Sequence, residues 1–134
     1  MDDPAKKTEA QWREELTPEQ FRVLREADTE PPGSGAYVYS KQSGMFCCVG
    51  CGAELFHSDT KFESGTGWPS FTAPAVAANV ELKSERSFLM RRTEVLCKRC
   101  GGHLGHVFDD GPALAGGQRY CINSAALKLT PSKP

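Results

Sequence analysis

The 134-residue chain carries almost no net charge: 16 lysines and arginines face 17 acids, for a formal charge of −1. That balance lacks the basic footprint with which nucleic-acid-binding domains meet phosphate, and it argues against a nucleic-acid partner. Long apolar runs are missing too, so no membrane span is expected. The opening segment MDDPAKKTEAQWREEL begins with acids and holds no apolar stretch. A secretory signal is therefore not expected, and a cytoplasmic location is. No low-complexity segment interrupts the chain, and its one internal repetition is a pair of cysteine knuckles.

What remains is an ordinary globular composition, 39% hydrophobic and 25% charged, in a length that fits one domain with a real core. The expected arrangement is a single domain over residues 9–130, with short tails at 1–8 and 131–134. Thr8 with Gln11 and Thr17 with Gln20 each match a capping box, and Pro18 takes the favoured first helical position. Two short amphipathic helices follow, the second from Pro18 to Ala27 with Phe21, Leu24 and Ala27 along one side; their expected work is to cover the core. The stretch TEPPGSGA (29–36) then breaks helix. Beyond it, Tyr37–Tyr39, Gly44–Val49, Ala53–His57, Asn79–Lys83, Ser87–Leu96 and Arg119–Leu129 are β-rich or alternating and bounded by turn residues. They predict a mainly β fold of antiparallel sheets, with loops at 64–74 and 109–117.

Six cysteines are many for a reducing compartment and require a reason. Four of them form CVGCG (48–52) and CKRCG (97–101), each C-x-x-C followed by glycine. Two such knuckles supply the four sulfurs of a closed tetrahedral zinc site, with Cys48, Cys51, Cys97 and Cys100 as ligands. Rubredoxin-like iron and two redox-active dithiols are the competing readings. The 45 residues between Cys51 and Cys97 make such a metal a clamp between distant parts of the fold. A closed site leaves no position for water, so its expected role is structural; no organic cofactor is expected.

Cys47 and Cys121 remain. Period-two alternation places Cys121 on one face with Asn123, Ala125, Leu127 and Leu129, where a cysteine is often only a small buried hydrophobe. Arg119, on the same face, favours a thiolate instead, and Asn123 is placed to bond a polar substrate atom. His103 and His106, in GGHLGHVFDDG ahead of Phe108, admit three roles: metal ligands, satisfied core histidines, or proton donors beside a reactive thiol. Trp68, in the glycine-rich KFESGTGWPSF, is either a folded-back core residue or the wall of an apolar pocket.

Together TPEQFRVLREADTEPPGSGAY, CVGCGAELF, SGTGWPSF, CKRCGGHLGHVFDDGP and RYCINSAAL closely resemble the B-type methionine sulfoxide reductases, in the same order and over residues 9 to 130. The resemblance implies two antiparallel sheets in a β-tent with short N-terminal helices. It implies Cys121 as nucleophile, the four knuckle cysteines as zinc ligands, and Trp68 packed on a substrate methyl, with Phe108 beside it. His103, His106, Asn123 and Arg119 would line the sulfoxide site, with Asp110 orienting His106 or Arg119. The implied reaction is reduction of methionine-R-sulfoxide in oxidised proteins or peptides, by a monomer, through a Cys121 sulfenic acid. Many members carry a resolving cysteine in SGCGWPSF; here that position is Thr66. Regeneration then falls to Cys47 or to an external thiol such as thioredoxin, and the external route is favoured because exchange requires direct access to the sulfur. Two other classes share part of the pattern: a non-catalytic zinc module, and a thiol oxidoreductase acting on disulfides.

Overall fold

The computed structural model describes residues 7–86, 91–113 and 116–131. The start of the expected Ser87–Leu96 strand, two residues of the expected 109–117 loop and the outer parts of both expected tails lie outside those residues.

Both N-terminal helices form where their caps place them. Helix α1 spans Glu9–Glu15 and α2 spans Pro18–Glu26, and each opens on a complete capping box, at Thr8/Gln11 and Thr17/Gln20. The expected apolar side of α2 is corrected in one place. Ala27 is the exposed left-handed C-cap, at φ 55°, and Val23 is buried beside Phe21 and Leu24. The helix stops there because the following Asp28 N–H bonds back to Arg22, a closing pattern that requires a left-handed residue.

Among the described residues nine strands follow: β1 Gly44–Cys48, β2 Glu54–His57, β3 Lys61–Phe62, β4 Ser70–Phe71, β5 Val80–Arg86, β6 Arg91–Cys97, β7 His103–Phe108, β8 Arg119–Ile122 and β9 Leu127–Pro131. They form two antiparallel sheets, one ordered β2-β1-β9 and the other β3-β4-β8-β7-β6-β5. The expected mainly β fold of two antiparallel sheets is therefore what forms. No helix among the described residues is long and apolar enough to cross a membrane.

Aromatic rings join the sheets. Phe46 of β1 meets Phe71 of β4 edge-on at 5.3 Å, and Phe56 of β2 stacks on Phe71 at 4.7 Å. Phe56 also reaches Tyr120 of β8, at 5.7 Å between centroids. Phe71 is fully buried at the centre of this contact, so Phe71→Ala is expected to cost about 3–5 kcal/mol. Chemical denaturation at constant metal content measures that loss.

Three sequence expectations fail, each for a non-local reason. Tyr37–Tyr39 is not a strand but part of a turn, pinned by the Tyr37 N–H on Ser124 Oγ (3.2 Å) and by its hydroxyl receiving the Leu129 N–H (3.1 Å). The stretch 119–129 is two strands in different sheets. At Asn123 the chain leaves β8, makes a 3₁₀ turn over Ser124–Ala126 and enters β9 in the other sheet. The common face expected for Cys121, Asn123, Ala125, Leu127 and Leu129 is thus broken at Asn123. Third, the expected 64–74 loop holds the short strand β4, paired with β3 at 61–62, and the inner strand β7 at His103–Phe108 is not among the expected strands.

Candidate functional site

The two cysteine knuckles are the tight turns of hairpins β1–β2 and β6–β7, and they are built alike. In the first, Cys48 N–H donates to Ala53 O (2.8 Å) and Gly52 N–H to Cys48 O (2.9 Å). In the second, Cys97 N–H donates to Gly102 O (2.8 Å) and Gly101 N–H to Cys97 O (2.7 Å). Gly52 and Gly101 sit at φ 79° and 76°, a left-handed conformation that costs a side-chain-bearing residue roughly 1–2 kcal/mol.

All four knuckle sulfurs lie within 4.8 Å of one another, with Cys48 and Cys100 at 3.7 Å and Cys51 and Cys97 at 3.5 Å. A metal with bonds of about 2.3 Å to four sulfurs requires sulfur separations of about 3.8 Å. Geometry and donor chemistry therefore fit a tetrahedral metal. The neighbouring thiols, Cys100 first, push the Cys48 thiol far above its ordinary range, an opposition that a dication among the sulfurs removes. Since one hairpin belongs to each sheet, the cluster ties the sheets together. Helix α2 covers it, with Arg25 Nη1 donating to Cys100 O at 2.9 Å.

At the other end of β7 a cavity of about 200 Å³ is lined by Thr29, Thr66, Trp68, Gly105, His106, Phe108, Arg119, Cys121 and Asn123. Strand pairing sets Cys121 opposite His106 of β7 on one side and Ser70 of β4 on the other. Alternation in β8 buries Tyr120 and Ile122 and turns Arg119 and Cys121 to the cavity. Gly105 is required in β7, because a Cβ there would lie 2.0 Å from the Cys121 carbonyl oxygen.

Arg119 is held firmly. Its Nε and Nη2 donate to Asp110 at 2.9 and 3.2 Å, and its guanidinium lies 4.6 Å from the Phe108 ring centre. Of the two groups offered to Asp110, its partner is Arg119, which draws the Asp110 carboxyl below its ordinary range. Asn123 accepts the Glu30 N–H (3.1 Å) and donates to Leu104 O (3.0 Å). Trp68 donates its indole N–H to Glu30 O at 2.9 Å, which leaves the ring to form a cavity wall.

Burial pushes the Cys121 thiol above its ordinary value of 9.0, with Arg119 and Thr66 opposing that rise. Arg119 favours the thiolate, as its position in sequence implies, but desolvation outweighs it. Because the folded thiol keeps its proton to higher pH than a free cysteine, its alkylation rate is expected to climb through a midpoint above 9. Unfolding the chain in denaturant should lower that midpoint to the ordinary thiol range. Peptide-resolved iodoacetamide labelling across pH measures both.

The sequence-predicted residues divide clearly. Trp68, His106, Phe108, Arg119, Cys121 and Asn123 meet at one cavity. His103 is not among its lining residues. It is buried behind His106 at 5.4 Å between ring centres, with Nδ1 2.5 Å from Glu94 Oε2. Cys47 lies in the other sheet, its sulfur near Thr130 Oγ1 (4.0 Å) and Met45 O (3.9 Å), and does not line the cavity either. Sequence reasoning missed Glu30, whose carboxylate accepts the Ala125 N–H at 2.9 Å and whose backbone holds Trp68 and Asn123. It also missed Thr29, Gly105 and Glu94. The strand alternation of β6 offers a signal for Glu94, whereas Glu30, beside two prolines, offers none.

Residues 16–131 match the SelR domain. The chain is 58% identical over 130 residues to the peptide methionine sulfoxide reductase MsrB of Bradyrhizobium diazoefficiens, covering 97% of this chain and 93% of that one. It is 57% identical over 123 residues to the MsrB of Methanosarcina barkeri, covering 92% and 86%. Among solved structures, the Yippee-like domain of Mis18 superposes at a TM-score of 0.55 with 20% identity, covering 69% of this chain and all of that one, a likeness of fold alone. With a SelR domain over most of its length and curated relatives at this identity along nearly all of it, the chain belongs to the SelR family of peptide methionine sulfoxide reductases.

Proposed function

We propose that the chain reduces methionine-R-sulfoxide in oxidised peptides and proteins, with Cys121 as nucleophile, and thereby repairs them. The observation that carries this reading is the single cavity that gathers a thiol, an indole wall, an imidazole and a fixed guanidinium. Its volume of about 200 Å³ is below the ~300–1,000 Å³ of drug-sized pockets. It suits one side chain, with the rest of a peptide outside.

The reaction needs a nucleophile at sulfur and a proton at oxygen. The Cys121 sulfur attacks the sulfoxide sulfur while His106, opposite it in the strand register, protonates the oxygen. The oxygen then passes to Cys121, leaving a sulfenic acid and a thioether. Cys121 is oxidised by two electrons and the methionine sulfur is reduced by two, so atoms and protons balance. Arg119, braced by Asp110 and Phe108, favours the thiolate form. Asn123 faces the same cavity as a polar contact for substrate. His103, paired with Glu94, backs His106 and fixes its setting. A methyl seated on Trp68 with the oxygen toward His106 leaves one handedness for the third substituent, which is how the pocket selects an epimer.

Zinc is the metal best suited to four thiolates in a closed tetrahedron, and it supplies stability there. The cluster is separate from the cavity lining, so Cys48, Cys51, Cys97 and Cys100 hold the sheets and take no part in the chemistry. Four metal-binding cysteines held outside any disulfide also fit a reducing compartment such as the cytoplasm.

With Thr66 in the cavity and Cys47 in the other sheet, the sulfenic acid is regenerated by an external thiol such as thioredoxin, through two thiols that yield a disulfide and water. One turnover without reductant tests this route. The expected products are one methionine per chain and a Cys121 peptide heavier by one oxygen, trapped by dimedone. A Cys47–Cys121 disulfide would contradict the external route, and with dithiothreitol as reductant Cys47→Ser should turn over at the parent rate.

A further inference from the structure

One set of side chains at the cavity has no part in that mechanism. Ser64 Oγ lies 2.8 Å from Thr66 Oγ1 and 2.8 Å from Ser70 Oγ, and it accepts the Thr66 N–H at 3.4 Å. Ser70 is fully buried, pairs with Cys121 across β4 and β8, and reaches Trp68 O at 3.3 Å. Thr66 completes the row by lining the cavity beside Cys121. Three hydroxyls thus run from the buried strand β4 to the cavity that Cys121 lines.

The proton count of this row has two solutions. A hydroxyl has one donor and two lone pairs. Ser64, already accepting from the Thr66 amide, must donate to one neighbouring hydroxyl and accept from the other. In the first solution Thr66 donates to Ser64, Ser64 to Ser70, and Ser70 to Trp68 O. Thr66 Oγ1 then presents lone pairs to the cavity. In the second, Ser70 donates to Ser64, Ser64 to Thr66, and Thr66 points its proton at Cys121. Only hydroxyl rotations separate the two, so no heavy atom need move.

We propose that the Ser70–Ser64–Thr66 chain is a reversible hydrogen-bond partner of the Cys121 sulfur. It accepts from the thiol or the sulfenic acid and donates to the thiolate. Thr66 is then a positioning and stabilising residue for both states of the sulfur, and Ser64 and Ser70 act through it. This rests on Cys121 being the reactive thiol. The Thr66 hydroxyl already acts in favour of the Cys121 thiolate, against burial. The other titratable groups facing that sulfur are Arg119 on its own strand, His106 on β7 and Glu30 from the preceding loop, while β4 presents only Ser70.

Iodoacetamide labelling of Cys121 across pH tests the chain, on metal-loaded protein carrying Cys47→Ser. Thr66→Val keeps the shape and removes the hydroxyl. It is expected to move the labelling midpoint up by about one pH unit, a fall of about tenfold in rate below the midpoint. Ser64→Ala should move it the same way by less, because Thr66 loses the neighbour that sets its proton, and Thr66→Ser should restore the parent profile. Melting curves and metal content are compared alongside. A Thr66→Val or Ser64→Ala profile that overlays the parent overturns the proposal. Labelling requires no sulfoxide turnover, so a chain inactive on sulfoxides would still report the shift, and the two readings fail separately.

Discussion

Cys121→Ser is expected to lower sulfoxide reduction by roughly four orders of magnitude or more, with metal content and melting unchanged. The size follows from chemistry: a serine hydroxyl is a far weaker nucleophile than a thiol, and it cannot carry the oxygen as a sulfenic acid. The unchanged fold follows from position. Cys121 is a half-buried cavity residue on β8 and stands apart from the four clustered sulfurs. The comparison with Cys47→Ser is the internal control, since that sulfur lies in the other sheet beside Thr130 and the Met45 carbonyl and is not among the cavity's lining residues. Steady-state rates with dithiothreitol, metal analysis and a melting curve for each variant decide the matter. Residual activity of Cys121→Ser near the parent rate would move the chemistry to another residue.

Removing the metal is expected to unfold the chain. Structural zinc sites contribute about 10–16 kcal/mol of binding free energy at neutral pH, comparable with or above the 5–15 kcal/mol by which domains are stable. Here the cluster joins a hairpin of each sheet, so its loss releases β1–β2 from β6–β7. Cys97→Ser should do the same, since Cys97 is fully buried and is fixed at both backbone bonds of its knuckle. Near-ultraviolet circular dichroism during chelator titration measures this. A native spectrum and parent melting temperature in metal-free protein would sink the structural role assigned to the cluster.

The parts of this molecule legible in the sequence are those fixed by local chemistry. Both capping boxes form as the Thr-x-x-Gln spacing implies, and both knuckles form because two thiols and a glycine in five residues encode one turn. The alternation of Arg119 and Cys121 holds for the four residues of β8. It fails at Asn123, where the chain changes sheets because the side chain bonds Glu30 N–H and Leu104 O, 93 and 19 residues away. No period in the sequence records such partners. Strand β7 escaped for a related reason: its glycine reads as a break, yet it exists because the Cys121 backbone passes too close for any Cβ. Of the two histidines, spacing alone could not say which faces the cavity. A side-chain contact decides that: the β6–β7 register sets Glu94 opposite His106, yet the Glu94 carboxylate goes to His103 Nδ1, and His106 is left among the lining residues. The hydroxyl row 64–66–70 was invisible because serine and threonine in a glycine-rich loop carry no distinguishing signal.

The most direct test of the account is stereochemical. Metal-loaded protein is incubated with dithiothreitol and racemic, N-blocked methionine sulfoxide, and each remaining epimer is quantified. The account predicts that the R epimer is consumed and the S epimer is left whole. Consumption of both at similar rates, or of neither while the metal stays bound, would contradict it.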